Sequence, residues 1–519
     1  MMIAKDETPS LDAQAKYTCD PEKTSADIEE LETVTSKSLS RGSDKHVVFG
    51  VDAPAQLSAC EEQRLYRKID MRLLPMLIVM QLVSYLDRGN IGNAKLQGLT
   101  TQLHLTGDSY NVALALYFVP YILLECPASL VMKKLRPSRW LPGIVMIWGV
   151  AGALMGLVKT YAQLVGLRLT LGGLEAGLFP CVTWYLSMWY PKHKLYYRMA
   201  MFWGGATIAG AFSGLLAFGI SFMSGTEGML GWPWIFILEG IFTVLIGFIG
   251  LFAIVDCPAT AKFLTPTERE YVVWRLKYSD SIVGEDESFQ WRHVRAALSD
   301  WQVYSNGLLF MSFVGPLYGI SFFLPSIINS FGFSPATSQL LTVPPYAFAT
   351  FIGILFSVWS DRKQIRSPFI FLGQAMSLIG FGIQISNAHF AVKYFGTFFC
   401  VAGGYGVFPS LPSWISNNTS GQYKRGMAIA VNVAFGNTAG SIATALFRSQ
   451  DAPRYIRANA VELGFVSMGM VVLGFQVLMY RWINSKRDKA MPREGIRAVY
   501  TDRQLRDMGD KAPGFRYIL

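Results

Sequence analysis

Tyr85-Leu86-Asp87-Arg88-Gly89-Asn90-Ile91 lies near the end of an apolar stretch that begins at Leu73. An acid and a base side by side at membrane depth decide how this chain is read. A charge in hydrocarbon costs several kcal/mol even when snorkelling and water defects are allowed for. Ionisable residues at such depth therefore line a cavity or a substrate path.

The composition around this stretch agrees. Of 519 residues, 51% are hydrophobic and 16% charged, against about 25% charged in an average soluble domain. The charges crowd into residues 1–72, residues 256–300, the C-terminal tail and short loops. Between them lie apolar runs of about 20 residues, the length that spans a roughly 30 Å hydrocarbon core. The segments of about ten alternating residues that mark a membrane β-barrel are absent. The chain thus reads as an all-α polytopic membrane protein. Its net charge of +10 sits in loops flanking the spans, where basic residues set orientation, so no nucleic-acid partner is expected. Cys126, Cys181, Cys257 and Cys400 fall in or beside apolar runs without metal-ligand spacing and read as small buried hydrophobes. No cleavable signal peptide is recognised.

Twelve spans are expected, near 73–94, 110–132, 140–158, 162–187, 198–221, 233–255, 303–328, 338–359, 367–386, 391–415, 427–447 and 462–482. They divide the chain into a disordered tail (1–72), a first six-helix bundle (73–255), a connector (256–300), a second six-helix bundle (301–482) and a final tail (483–519). In the connector, Thr265 with Glu268 forms a capping box and Pro266 takes the first helical position. A surface helix through about Leu276 and a second through Trp291–Leu298 follow from this. Arg64, Arg67, Lys68 and Arg72, then Lys133, Lys134, Arg136 and Arg139, Lys192 and Lys194, Arg362 and Lys363, and Lys424 and Arg425 all fall on one side. That bias places both termini in the cytoplasm. The halves echo each other: Arg198-Met199-Ala200 opens the fifth span and Arg425-Gly426-Met427-Ala428 the eleventh. Parallel repeats of this kind mark two-bundle secondary transporters, whose binding site lies at midplane between the bundles.

Depth, at about 1.5 Å per residue, puts Asp87 and Arg168 at similar levels. Arg168 and Glu175, about two turns apart, share a helix face. Asp87, Arg88, Arg168 and Glu175 are therefore expected to converge on one cavity, or else to form a buried charge network that only holds helices together. Arginine stays charged and grips a carboxylate bidentately, so Arg88 and Arg168 are candidates for an anionic substrate. Glu175 and Asp87 are candidates for the coupled proton. Tyr85, Trp203, Asn432 and Asn437 are candidate pocket residues. Glu125, before Pro127, is expected to pair with a loop cation such as Arg198 in a gating or structural role. Glu239 reads as structural, and Asp361-Arg362 as a gate latch. No phosphate-binding loop is present, which argues against an ATP-driven pump, and no metal or other cofactor is expected.

These segments resemble the major facilitator superfamily and, within it, the anion:cation symporter family. The resemblance rests on Tyr85–Ile91, on Arg168 with Gly172 and Glu175-Ala176-Gly177-Leu178-Phe179-Pro180, on Trp234-Ile235-Phe236-Ile237-Leu238-Glu239-Gly240, on Ser360-Asp361-Arg362 and on Asp451-Ala452-Pro453-Arg454-Tyr455. Together they are most similar to the fungal allantoate permease branch, which includes nicotinic acid, pantothenate and biotin carriers. The resemblance implies proton-coupled uptake of a small organic anion across the plasma membrane, driven by the proton gradient. Asp87, Arg88 and Glu175 would then serve proton coupling and carboxylate binding. One departure stands out: after the second span the family's usual Gly-x-x-x-Asp-Arg is replaced by Pro127-Ala128-Ser129-Leu130 and Lys133-Lys134-Leu135-Arg136.

The expected protein is thus a monomeric symporter in the bilayer, not an enzyme. Its expected partners are a carboxylate such as nicotinate or allantoate and protons. An exporter of an organic anion or secondary metabolite, and a non-transporting nutrient receptor, are the competing readings.

Overall fold

The first helix starts where its sequence caps it. Ser58 Oγ accepts from the Glu61 N–H at 3.3 Å while the Glu61 carboxylate accepts from the Ser58 N–H at 2.9 Å. This reciprocal pair satisfies two donors that a bare helix end would leave orphaned. Helix α1 then runs Ala59–Leu96, so residues 59–72, expected in a disordered tail, are helical. The computed structural model describes residues 57–278, 291–363, 365–408, 410–420, 422–452, 454–490 and 508–519. Most of the expected first tail lies outside these.

The first half continues with α2 (Ser109–Leu116), α3 (Phe118–Lys134), α4 (Pro137–Met155), α5 (Tyr161–Glu175), α6 (Leu178–Ser187), α7 (Lys192–Ser221) and α8 (Gly231–Ala253). The connector carries α9 (Pro266–Tyr278) and α10 (Trp291–Leu298), at the two places the sequence indicates. The second half holds α11 (Trp301–Asn329), α12 (Pro335–Leu340), α13 (Val343–Lys363), α14 (Ser367–Ile385), α15 (Phe390–Tyr405), α16 (Ser410–Asn418), α17 (Gln422–Leu446) and α18 (Ile456–Lys489).

Among the described residues, ten helices are long and apolar enough to cross a membrane. The second and tenth expected spans are each broken in two. Pro120 has no N–H for the carbonyl of Leu116, and α2 gives way to α3 at Tyr117. The tenth span is parted after Tyr405, by a stretch with Gly406 and Pro409 in its sequence. Among the described residues the architecture is all-helical, and the ten long spans with the two broken ones make twelve in two six-helix bundles.

Packing sorts the helices by polarity. In the first half α4 lies on α8, α1 on α7 and α8, and α5 on α3 and α4. In the second, α11 lies on α17 and α18, α14 on α15 and α18, and α13 on α15. The halves meet where α1 touches α11, α7 touches α13, and α17 touches α2 and α3. Helix α11 is central, with 83% of its apolar window buried, whereas α18 is peripheral, with 28%. The rim turns Ile241, Leu245, Phe248 and Phe252 of α8, and Val471, Phe475, Leu478 and Trp482 of α18, outward. An exposed apolar band of this kind is what lipid solvates.

One end of the molecule carries the basic loops and is here termed the basic end. Charged pairs tie it together within each half. Arg198 grips both Asp70 oxygens at 2.9 and 2.8 Å, Lys194 reaches Glu62 at 2.7 Å, and Lys68 reaches Glu268 of α9 at 2.8 Å. In the second half Lys424 bonds Asp300 at 2.6 Å and Asp510 at 2.7 Å. Residues 508–519 thus dock under the second half as α9 docks under the first. Tyr517 stacks on Tyr480 at 4.7 Å, and Asn418 bonds the Ile518 backbone on both sides.

Candidate functional site

Ser84 and Arg88 stand one turn apart on the same face of α1. Arg88 Nε donates to Glu175 Oε2 at 2.8 Å, Nη1 to the Tyr318 hydroxyl at 2.9 Å and Nη2 to the Tyr121 hydroxyl at 3.3 Å. Its guanidinium also lies 5.0 Å from the ring centres of Tyr85 and Tyr121 and 5.7 Å from that of Tyr117. Glu175 Oε2 accepts further bonds from Tyr117 at 2.7 Å and Ser84 at 3.3 Å, and the residue is 0% exposed. Gly172 makes this possible, since a Cβ there would fall on the Tyr117 carbonyl oxygen and hold α5 off. One cation, one carboxylate and a ring of tyrosines therefore meet at the junction of both halves.

Two adjoining chambers open beside Arg88. The first is lined by Tyr85, Arg88, Ser213, Tyr318, Tyr346 and Tyr405, the second by Gln81, Arg88, Trp203, Phe310, Phe408 and Asn437, among others. On the second wall, the Trp203 indole N–H and the Asn437 amide nitrogen have no hydrogen-bond partner. A guanidinium, two spare donors and aromatic walls suit a small anion with a flat or apolar body.

The expected four-charge cluster is only partly assembled. Arg88 and Glu175 come together, but Asp87 turns away. Its Oδ2 accepts from Trp148 Nε1 at 2.8 Å and from the Thr243 hydroxyl at 3.5 Å. Consecutive residues on a helix point about 100° apart, so Arg88 facing α11 sends Asp87 toward α4 and α8. Arg168 is 1% exposed, has Tyr110, Tyr117, Glu175 and Asp87 as its ionisable neighbours, and keeps Nε and Nη2 unpartnered, so Asp87 stays near the cluster while bonding away from it.

Tyr85 and Trp203 line the chambers, as does Asn437, while Asn432 spends its amide on the Ala428 carbonyl of its own helix at 2.8 Å. Arg198 pairs with Asp70 of α1 at the basic end, and Glu125 is buried in α3. Glu239 accepts from Asn90 at 2.5 Å between α8 and α1. The side chains of Asp361 and Arg362 lie outside the described residues.

Cys181 and Cys400 are buried free thiols, but Cys257 is disulfide-bonded and so departs from the reading as a simple buried hydrophobe. Among the described residues no group of three acidic, histidine or cysteine side chains is placed to hold a metal ion.

At the end opposite the basic loops the halves close on each other. A Cβ at Gly92 of α1 would collide with the Phe322 carbonyl of α11. Gly210 and Gly214 of α7 do the same against Tyr346 and Thr342. Asn111 donates to the Thr444 and Phe447 carbonyls at 2.7 and 2.9 Å, Gln97 bonds Gln339 at 3.1 Å, and Arg448 meets Asp108 at 3.5 Å. Toward the basic end the chambers are covered by side chains: Trp203 and Phe408 touch edge to face at 4.5 Å, flanked by Phe179 and Phe310.

The sequence reading missed Tyr117, Tyr121 and Tyr318. Tyrosines in apolar spans resemble packing residues, and only the four-residue spacing of Tyr117, Tyr121 and Glu125 hints at a shared face. It also missed Glu462 of α18, which is 0% exposed with both carboxyl oxygens unpartnered beside Gly319 of α11.

Comparison with known proteins agrees with this architecture. Residues 77–444 match the model of the Major Facilitator Superfamily. The chain is 35% identical to the MFS-type transporter cnsO of Penicillium expansum over 89% of this chain and 92% of that protein. It is 31% identical to the high-affinity nicotinic acid transporter of Saccharomyces cerevisiae, over 88% of this chain and 85% of that protein. The xylose transporter XylE from E. coli, in a partially occluded inward open conformation, superposes with a TM-score of 0.60 at 15% identity, covering 78% of this chain and 98% of that one. The chain belongs to the Major Facilitator Superfamily and is a multi-pass membrane transporter.

Proposed function

We propose that this transporter carries a small organic anion, together with protons, into the cell by alternating access at the plasma membrane. The observation that carries the reading is the Arg88–Glu175 pair, one partner on the chamber wall and the other sealed behind it. A substrate carboxylate entering either chamber meets Arg88 first and competes with Glu175 for the same guanidinium. A buried carboxylate deprived of its cation is costly, so a proton joins Glu175 as the anion claims Arg88. Anion and proton then travel together, and neither is released without the other.

In this reading the basic end, with α9 and residues 508–519, is cytoplasmic, following the bias of Lys and Arg in the loops. The chambers are then closed toward the outside by backbone contacts and toward the cytoplasm by the rings of Trp203 and Phe408. The protein works as a monomer, because each chamber is completed by the two halves of one chain. The relation to a nicotinic acid transporter makes aromatic monocarboxylates the first candidates, and the tyrosine-rich walls fit them.

The test is uptake of radiolabelled nicotinate, pantothenate and allantoate into proteoliposomes with an acidic exterior. At least one substrate should accumulate, and a protonophore should abolish accumulation. Glu175→Gln should end accumulation while exchange persists. Normal accumulation by Glu175→Gln, or uptake indifferent to pH and protonophore, overturns the coupling. Cells lacking the protein that retain an organic anion, with uptake intact, point to export instead.

A further inference from the structure

The second chamber carries two polar atoms that the chain leaves unused. Trp203 of α7 is 8% exposed and Asn437 of α17 is 5% exposed. Neither the indole N–H of the one nor the amide nitrogen of the other has a hydrogen-bond partner. Both residues line the chamber together with Arg88. Hydroxyl groups on the same wall are already engaged: Tyr121 and Tyr318 accept from Arg88 at 3.3 and 2.9 Å, and Ser84 donates to Glu175 at 3.3 Å. A buried indole N–H ordinarily finds a partner, and a buried donor left unpaired is costly.

Packing does not account for the tryptophan. Its ring centre lies 5.0 Å from that of Phe179, 6.2 Å from that of Phe202 and 4.5 Å from that of Phe408. The three phenylalanines bury ring surface with no polar atom. Trp203 alone among these four adds a donor, and an indole N–H can only donate. Tyr85 fills the interval back to Arg88, its ring centre 5.0 Å from the guanidinium and 6.3 Å from the Trp203 ring. A flat acid with one hydrogen bond at each end covers such an interval. The chamber thus offers a cation at one end and unpaired donors at the other.

We propose that Trp203 and Asn437 bind a hydrogen-bond acceptor on the body of the substrate, a ring nitrogen or a carbonyl oxygen remote from its carboxylate. This rests on the anion reading above and adds what recognises the other end of the molecule. The substrate class is then narrower than small organic anions: a flat carboxylate with an acceptor at its far end. An acid with a plain hydrocarbon body leaves both donors unpaired and binds more weakly. Recognition also falls on the gate. Trp203 is the ring that covers the chamber with Phe408, and it belongs to the first half while Asn437 belongs to the second. An acceptor held by both joins the two halves around the chamber.

Benzoate, picolinate, nicotinate and isonicotinate decide this, because they share one size and differ only in the ring nitrogen and its place. Isothermal titration of the protein in nanodiscs at neutral pH, where each ring nitrogen is unprotonated, gives the affinity for each. At least one pyridine acid should bind about tenfold tighter than benzoate, the order expected of one hydrogen bond to a buried donor. Trp203→Phe should bring that ratio to about one, and Asn437→Leu, similar in shape, should lower it as well. The ratio cancels any loss of packing, which weakens benzoate too. A ratio near one in the wild type, or binding of none of the four acids, overturns the proposal. A wild-type ratio in either variant overturns the assignment of that residue. Arg88→Lys keeps the two ideas apart, since it should weaken all four acids, benzoate included. If it does so while the ratio is near one throughout, the acceptor site fails and the anion reading stands. If all four acids bind Arg88→Lys as they bind the wild type, the anion reading fails. Should Trp203→Phe fail to fold, Asn437→Leu carries the test: a lowered ratio supports the site, and an unchanged one overturns it.

Discussion

Arg88 Nε and Glu175 Oε2 lie 2.8 Å apart, yet only Arg88 reaches the chamber wall, beside Tyr85, Trp203 and Asn437. The pair is therefore asymmetric: the chambers expose the cation and seal off the acid. In the proposed coupling, competition for Arg88 is the signal that an anion is present, and Glu175 reads that signal from behind.

Arg88→Lys keeps the charge and loses the fork. Lysine cannot reach Glu175, Tyr318 and Tyr121 from one rigid plane as Arg88 does. Losing one charged hydrogen bond costs ~1.5–3 kcal/mol, so substrate affinity should fall about 10- to 100-fold. Isothermal titration of the purified variants with nicotinate and related carboxylates measures it. Wild-type affinity in Arg88→Lys would remove the guanidinium from substrate binding.

Gly92→Val should jam the far gate. Its side chain must enter space held by the Phe322 carbonyl, and backbone cannot move aside as a flexible side chain can. Uptake should drop to background while the protein still folds. A cysteine at Gln97 should become more reactive to a membrane-impermeant thiol reagent in the Gly92→Val background. Unchanged reactivity would show that the gate closes elsewhere.

The connector supplies a pH test. Burial pushes the Glu268 carboxyl up, but the Lys68 ammonium and the Thr265 N–H push it down further, so it is held below the ordinary carboxylate value. A lowered folded value means the contribution to docking is full above the unfolded value, near 4.5, and is lost as pH falls through the folded value. The pair is partly solvent-exposed, so the effect should stay within ~1 kcal/mol. The protection of α9 amides, exchange corrected for its intrinsic pH dependence, should be constant from neutral pH down to mild acid and fall only below it, and Glu268→Gln should lower it at neutral pH. Protection lost already at pH ~6, above the range where a lowered carboxyl titrates, would mean another group controls docking.

Glu462→Met should stabilise the protein. Both carboxyl oxygens of Glu462 are buried without a partner, and an unsatisfied buried polar group costs ~1–3 kcal/mol. Methionine fills similar space and needs no partner. Thermal unfolding in detergent should shift upward, with transport retained. A downward shift would mean that the carboxyl group is held by a contact that forms in another state of the cycle.

Much of the fold was legible because the bilayer imposes a simple rule. Apolar runs of about 20 residues mark spans, and Thr265 with Glu268 marks a helix start whatever surrounds it. The site was legible only as far as helix geometry reaches. The common face of Arg168 and Glu175, and the depth of the motif on α1, follow from periodicity. Which of Asp87 and Arg88 faces the chamber does not, because that depends on how α1 is rotated against α4, α8 and α11. The docking of residues 508–519 was beyond reach for a similar reason. Its anchors, Lys424 and Gln302, lie 86 and 208 residues from Asp510 in sequence, and no local pattern announces them.

Helix α1 is a single unbroken element of 38 residues. Along it sit the foot that grips α9 through Lys68, the Arg88 that faces the chambers, and the Gly92 and Gln97 that meet the other half at the far end. It works as one lever arm. A force or charge applied at the foot is felt at the opposite mouth without any relay of side chains, with Pro75 as a built-in weak point along its length.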